Sequence, residues 1–470
     1  MDFELQFGKR GGPGRRNPGD GARRILVLGD FAGRAARGEV PAREPLASRP
    51  LVRAPQEGAG VDAALEALAP ALALPPSIAG ATPTLELHAL EDFHPDALFR
   101  RLAVFRDPPR AAVAPAAAPA AAGKNDADDI ERLLGKRPAA AAVSATSAVD
   151  DLIRPIIAGH VASAPPDAPL DAVALGRIMR ALLHQPAFQA LEARWRALEL
   201  LVSRADEAVE IIVLDVTRAE LLADLLPGGA DAASDPTLDG SALARRVLSP
   251  PGGRPFAALI GDFAFGPGAE DAALLGRLGA LAAAAGAPFV AGAAPALLGR
   301  PSLAGADDAA GWEALAPDDA RRWQALRRGP AAPWVGLALP RFLARAPYGA
   351  KTAAIDSFAF EEIEGRPAPE TLCWASGAFL CALALARGEE AGDAEDIDDL
   401  PYFTFRGADG DVEMYPSTEV FWSQRAAEAA LGRGLMPLLS ARDRNVARLV
   451  RLQSIADPPR ALAGATEDAG

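Results

Sequence analysis

Cysteine occurs twice in 470 residues, as Cys373 and Cys381. Two thiols exclude a disulfide framework and a cysteine-built metal cluster. They read as small apolar residues on one helix, in a chain suited to the reducing cytoplasm. Histidine is nearly as scarce: His88, His94, His160 and His184 are all there are, with no H-E-x-x-H pair among them. His88 and His94 stand near Asp92 and Asp96, which leaves open a weak metal site or, more simply, a surface histidine and one that opens a helix. Net positive charge is missing as well. Forty-eight Lys and Arg face 62 Asp and Glu, a net charge of −14 that argues against a nucleic-acid partner. Long apolar runs are absent: Ala272 to Gly299 is mostly alanine but is broken by Arg277, Gly286, Pro288 and Pro295. That pattern predicts a helix, a turn and a strand, with no membrane insertion. The first ten residues alternate charge and apolar character, unlike a secretory signal.

Nucleotide-binding motifs are missing too. Lys351 in PYGAKTA lacks the earlier glycine of a phosphate loop, and no Gly-x-Gly-x-x-Gly occurs, so no cofactor is expected. What the chain does have is a repeated tripeptide. RILVLGDFAGR (24–34) and FAALIGDFAFG (256–266) each end an apolar run in Gly-Asp-Phe. Phe31 and Phe263 stand where a serine nucleophile would follow Gly-Asp, and no partner is in view for Asp30 or Asp262 as acid or base. The reading is structural: Gly29 and Gly261 allow sharp strand exits, Asp30 and Asp262 cap backbone amides, and Phe31 and Phe263 pack on the core. No constellation of residues supports an enzyme.

Along the chain, MDFELQFGK alternates with Phe3, Leu5 and Phe7 on one face, a strand pattern. Residues 10–23 are Gly, Pro and Arg-rich and form a leash, so the strand either adds to a neighbouring molecule or edges its own domain. Residues 24–110 predict a small α/β unit: a buried strand at 24–30, a helix and strand over 61–74, a strand at 85–93, and a helix opened by His94-Pro95. Residues 111–148 are an Ala/Pro-rich linker holding one short amphipathic helix, 126–136, which either docks on its own protein or binds a partner. From 149 the chain alternates strands and helices, the signature of a sheet covered by helices. The division falls at 149–345 and 346–470, the latter with a helix over 372–387, a solvated acidic loop at 389–399 and a disordered tail. The fold class is α/β (α+β), with mixed sheets flanked by helices.

Several stretches in order resemble the contractile sheath of bacterial type VI secretion. RILVLGDFAGR, VPAREPLASRPLVR, the helix near VDAALEALAP and LELHALEDFHPDALFRRL resemble the small (TssB/VipA-type) subunit. LLHQPAFQALEARWRALELLVSRA, LIGDFAFGPGAEDAALLGRLGALAAAAGAPFVAGAAPALLG, WVGLALPRFLARAPYG, FAFEE and PSTEV with LMPL resemble the large (TssC/VipB-type) subunit. The resemblance implies a fused protomer of a helical tail-sheath-like tube, built of copies of itself or with separate sheath subunits. It implies an inner tube protein and a baseplate as partners, and a ClpV-type AAA+ unfoldase gripping Ile130, Leu133 and Leu134. It also implies that a terminal strand, here Phe3, Leu5 and Phe7, is lent to a neighbour. The small-subunit part stops near Arg106 without the terminal helix of that family, and WASGAF (374–379) lacks its usual asparagine. The alternative reading is a sheath-related accessory protein that binds a baseplate or cap without polymerising.

Overall fold

The computed structural model describes residues 23–40, 44–75, 84–106, 172–229, 238–388, 394–407 and 409–465. Phe3, Leu5, Phe7, Ile130, Leu133, Leu134 and His160 lie outside them, as does the helix expected at 126–136.

The described residues open with β1 (Arg23–Gly29), β2 (Val52–Ala54), α1 (Val61–Leu68), β3 (Ala71–Ala73), β4 (Thr84–Glu86) and α2 (Pro95–Arg101). They continue with α3 (Ala172–Leu183), α4 (Pro186–Arg204), β5 (Val209–Asp215), α5 (Arg218–Leu225), α6 (Ala242–Leu248), β6 (Ala258–Phe265), α7 (Ala269–Ala285) and β7 (Phe289–Ala293). After these come α8 (Pro317–Arg328), β8 (Val335–Leu339), β9 (Phe342–Leu343), β10 (Trp374–Ala375) and α9 (Ala378–Arg387). The last elements are β11 (Glu395–Ile397), β12 (Thr404–Arg406), β13 (Val412–Met414), α10 (Gln424–Gly432), β14 (Met436–Ser440) and β15 (Ala447–Leu449).

Nine strands form one sheet in the order β11-β15-β14-β8-β7-β6-β1-β5-β2. The run from β14 to β5 is parallel, and β2, β15 and β11 are antiparallel additions at the edges. Residues 24–110, expected as a small α/β unit, therefore place their first strand in the middle of the large sheet, with Arg23–Gly29 paired to Val209–Asp215 on one side and Ile25–Leu28 to Ala258–Gly261 on the other. The apolar run of β1 explains this position, because side chains alternate across a strand and both faces must be covered. Ile25 and Val27 enter one core with Ile211, Val213 and Ile260. Leu26 and Leu28 enter the opposite core with Ile212, Leu214 and Leu259. Helices α1 to α4 and α9 cover the first face, and α5 to α8 and α10 cover the second.

Four expectations change. The strand expected over 85–93 is only β4, because the Asp92 carboxylate accepts from the His88 and Ala89 amides and turns Leu90–Phe93 into a 3-10 helix. The helix expected from Leu372 starts at Ala378, after Ser376 and Gly377, so Cys373 precedes β10 and only Cys381 is helical. Both thiols are buried. Within the acidic stretch 389–399, Glu395–Ile397 is the strand β11 rather than a loop. The second Gly-Asp-Phe is not a strand exit either: Gly261–Phe263 lies inside β6, where the pairing with β7 shifts register between Gly261 and Ala264.

Candidate functional site

The two Gly-Asp-Phe tripeptides meet where the end of β1 adjoins the middle of β6. A Cβ on Gly29 would lie 3.1 Å from Cβ of Asp262, and one on Gly261 would lie 2.7 Å from the Phe289 ring. A Cβ at 261 would have to displace the Phe289 ring, whereas one at 29 would press on Asp262 and the Phe31 ring. Asp30 caps as expected, accepting from the Arg34 and Ala35 amides at 2.7 and 2.9 Å. Asp262 does something else: its carboxylate takes the Arg194 guanidinium. Arg194 Nη1 also donates to the Asp30 carbonyl at 2.6 Å, so one arginine from α4 joins the two segments. Phe31 is fully buried against Trp195, ring centres 5.1 Å apart and edge to face, while Trp195 Nε1 donates to the Phe31 carbonyl at 3.0 Å. Phe263 is only half-buried. Helix α4 begins on Pro186, which suits the first helical turn, and puts both Arg194 and Trp195 on this joint.

A second tie is ionic and was not foreseen. Arg34 Nε donates to Asp215 at 2.7 Å, and its two terminal nitrogens reach Glu220 at 2.9 and 2.7 Å. Arg49 grips the same Glu220 at 2.7 and 3.0 Å and donates to the Asp215 carbonyl at 2.8 Å. All four side chains are at least nine-tenths buried. Glu220 also closes a capping box with Thr217 at the start of α5, which fixes its position. Burial pushes the Asp215 carboxyl up, against the opposing pull of the Ala32 amide and Arg34. The sequence signal was available: Arg34 ends the first Gly-Asp-Phe loop, and Arg49 ends the Pro-Leu-Ala-Ser-Arg stretch.

Asp96, near the start of α2, makes the third tie. It accepts from the Asp356 and Ser357 amides and from the Ser357 hydroxyl at 2.6 Å. Burial works to raise this carboxyl, but the Ser357 hydroxyl and the two amides outweigh it and hold it low. His94 Nδ1 accepts from the Asp96 amide, so it opens the helix as expected, and the neighbouring acidic groups are already engaged. A separate buried network lies wholly in the later segment. Arg345 spans Glu192 at 2.7 Å and Glu362 at 2.7 and 3.0 Å, with Arg196 bonded to Glu192 and the Tyr348 hydroxyl. Burial works against ionised Glu192, yet Arg345 and Arg196 keep it below the ordinary carboxylate range.

Catalytic chemistry has little to work with at these places. Burial pushes both cysteine thiols far up, so neither is a ready nucleophile. Among the described residues no group of three or more His, Cys, Asp and Glu could hold a metal ion. A cavity of about 470 Å³ opens at the carboxyl ends of β6, β7 and β8, between Arg194, Phe263, Leu303, Arg341 and Trp374. Its charges are spent internally, Arg194 on Asp262 and Arg341 on Glu419. The arrangement binds chain to chain: one buried and two part-buried ties fasten residues 23–106 to the rest.

The fold these residues build is a mixed sheet covered by helices on both faces, with residues 23–106 fastened into it. Residues 168–456 match the family described as EvpB/VC_A0108, tail sheath N-terminal domain, and the chain belongs to this VipB family of type VI sheath large subunits. It is 31% identical over 307 residues to the type VI secretion system sheath protein TssC1 of Pseudomonas aeruginosa, covering 59% of this chain and 58% of that protein. The chain thus spans well under two thirds of that relative's length. Both matches are to structural sheath proteins and not to an enzyme family. Among the described residues no helix is long and apolar enough to cross a membrane.

Proposed function

We infer that the chain is a sheath protomer in which a small-subunit-like segment, residues 24–110, is fused to a large-subunit-like segment beginning near 149. The observation that carries this is the placement of β1: a strand from outside the matched residues 168–456 fills the middle of their sheet, between β5 and β6. A sheet missing that strand would leave two parallel edges unpaired and two apolar faces short of four side chains. The ionic joint of Arg34 and Arg49 with Asp215 and Glu220 supports the same reading, since buried charges need their partners in place.

In this reading the protomers join head to tail into a helical tube around an inner tube protein, start on a baseplate in the cytoplasm, and shorten to drive secretion. The linker 111–148 then carries the helix offered to a ClpV-type unfoldase through Ile130, Leu133 and Leu134. Met1–Lys9, with Phe3, Leu5 and Phe7 on one face, is the strand lent between protomers, and its leash absorbs their displacement. Electron microscopy of the purified chain tests the proposal. Tubes or rings are the expected result. A protein that stays monomeric with its first ten residues intact, at every concentration tried, contradicts polymerisation and returns the chain to an accessory role.

A further inference from the structure

A second cavity, of about 260 Å³, opens where residues 23–106 meet the later segment, and it shares no lining residue with the larger one beside Arg194. Glu91 and His94 line it from the first side, and Arg196, Arg345 and Tyr348 line it from the other. We propose that this cavity binds a small oxyanion, of which inorganic phosphate is the simplest example, held jointly by His94, Arg196 and Tyr348.

Hydrogen-bond donors in this cavity outnumber their acceptors. Arg196, on α4, donates through Nε to Glu192 at 2.8 Å and through Nη2 to the Tyr348 hydroxyl at 3.0 Å. Its Nη1, with two hydrogens, has no partner among the described residues. The Tyr348 hydroxyl accepts that one bond and still has its own proton to give. Burial pushes this phenol up, so the proton stays in place. His94 Nδ1 accepts from the Asp96 amide at 3.2 Å, which puts the ring proton on Nε2. That proton also lacks an acceptor among the described residues. Three side chains that line one cavity thus each keep an unspent N–H or O–H group. Water can take such protons singly. A ligand that only accepts satisfies all three at once and gains the guanidinium charge besides.

Charge favours the same class of ligand. Glu192 and Glu362, the acids that neutralise the two arginines, are buried, and neither lines the cavity. The wall therefore shows two guanidinium groups and hides their counterions. Arg345 is fixed by Glu192 and Glu362, and its guanidinium carbon lies 4.3 Å from the centre of the Tyr348 ring. His94 meets that ring edge to face, ring centres 5.0 Å apart, so the donors sit on a rigid frame. Asp96, beside His94, is spent on the Asp356 and Ser357 amides. Glu91, the acid on the wall, has a side chain 75% exposed, and water screens its charge. An ion held here would bridge residues 23–106 and the later segment, whether or not the chain polymerises.

Unfolding midpoints of the full chain in rising phosphate, with ionic strength held constant by chloride, test this. The midpoint should climb and then saturate, with a dissociation constant in the millimolar range. Tyr348→Phe keeps the ring but not the proton, and His94→Asn keeps an acceptor for the Asp96 amide but not the Nε2 donor. Each should weaken phosphate binding about tenfold, read as a dissociation constant so that a change of midpoint in chloride alone does not count. Glu91→Gln should tighten binding, and Arg321→Gln, on α8, should leave it unchanged. A midpoint that rises without saturating, or one dissociation constant shared by the parent, Tyr348→Phe and His94→Asn, overturns the proposal.

Discussion

At the scale of single residues, the joint depends on charges that water cannot reach. Arg34→Met leaves Asp215 without its cation and Glu220 with only Arg49, so it should cost about 3–5 kcal/mol in denaturant unfolding. Arg321→Ala, which breaks an exposed pair with Asp318 on α8, should change stability by less than about 0.5 kcal/mol. Equal losses in the two variants would contradict the buried joint. Asp96 supplies a pH signature. Its carboxyl is held below its ordinary 3.8, so its contribution is present above that value and is lost as pH falls through the lower, folded one. Asp96→Asn should therefore be less stable at neutral pH and show a flatter acid limb than the parent in unfolding series below pH 5. An unchanged limb would mean that the Asp356 and Ser357 amides do not depend on this carboxylate. Asp215 acts with the opposite sign, because its folded value is raised, and it does not mask the test. The sequence shows Arg34 and Arg49 in their loops but not the carboxylates they meet. Arg34 and Glu220 are 186 residues apart, and only the fold brings them together.

At the scale of elements, the sequence displayed most strands and helices because their apolar patterns are strong. β1 and β7 lie where their apolar runs placed them, and α2 opens on the expected His94-Pro95. The failures share one cause: a local pattern does not report its neighbours. Leu85–Phe93 alternates like a strand, yet Asp92 captures two amides and closes a turn. Gly-Asp-Phe looks the same at 29–31 and 261–263, but the first leaves its strand and the second is a bulge within one. The difference lies in β7, which pairs along β6 past the bulge and presses Phe289 on Gly261. Gly261→Ala must displace that buried ring, and it should cost about 1–3 kcal/mol by thermal or denaturant unfolding. A neutral result would show that β6 and β7 separate more easily than their register implies.

At the scale of the whole molecule, family likeness was legible from motifs in register, and it covers the segment 168–456. What no motif announced is that residues 23–106 complete that segment's sheet rather than stand beside it. Two apolar strands of equal pattern give no sign of which will be neighbours, and β1 and β5 are separated by the 179 residues from Asp30 to Ala208. The deletion of Met1–Lys9 separates assembly from folding: the shortened chain should keep its thermal transition and form no tubes. Tubes from the shortened chain would remove the lent strand from the account.

The central claim, that the first segment is an integral half of one protomer, is tested most directly by cutting the chain after Pro138 and producing the two pieces. Produced together, residues 1–138 and 139–470 should co-purify in equal amounts with the secondary structure of the intact chain. Produced alone, residues 139–470 should be insoluble or lack a cooperative unfolding transition, because the place of β1 between β5 and β6 is empty. A piece 139–470 that folds cooperatively alone, with the parent's stability, would contradict the account.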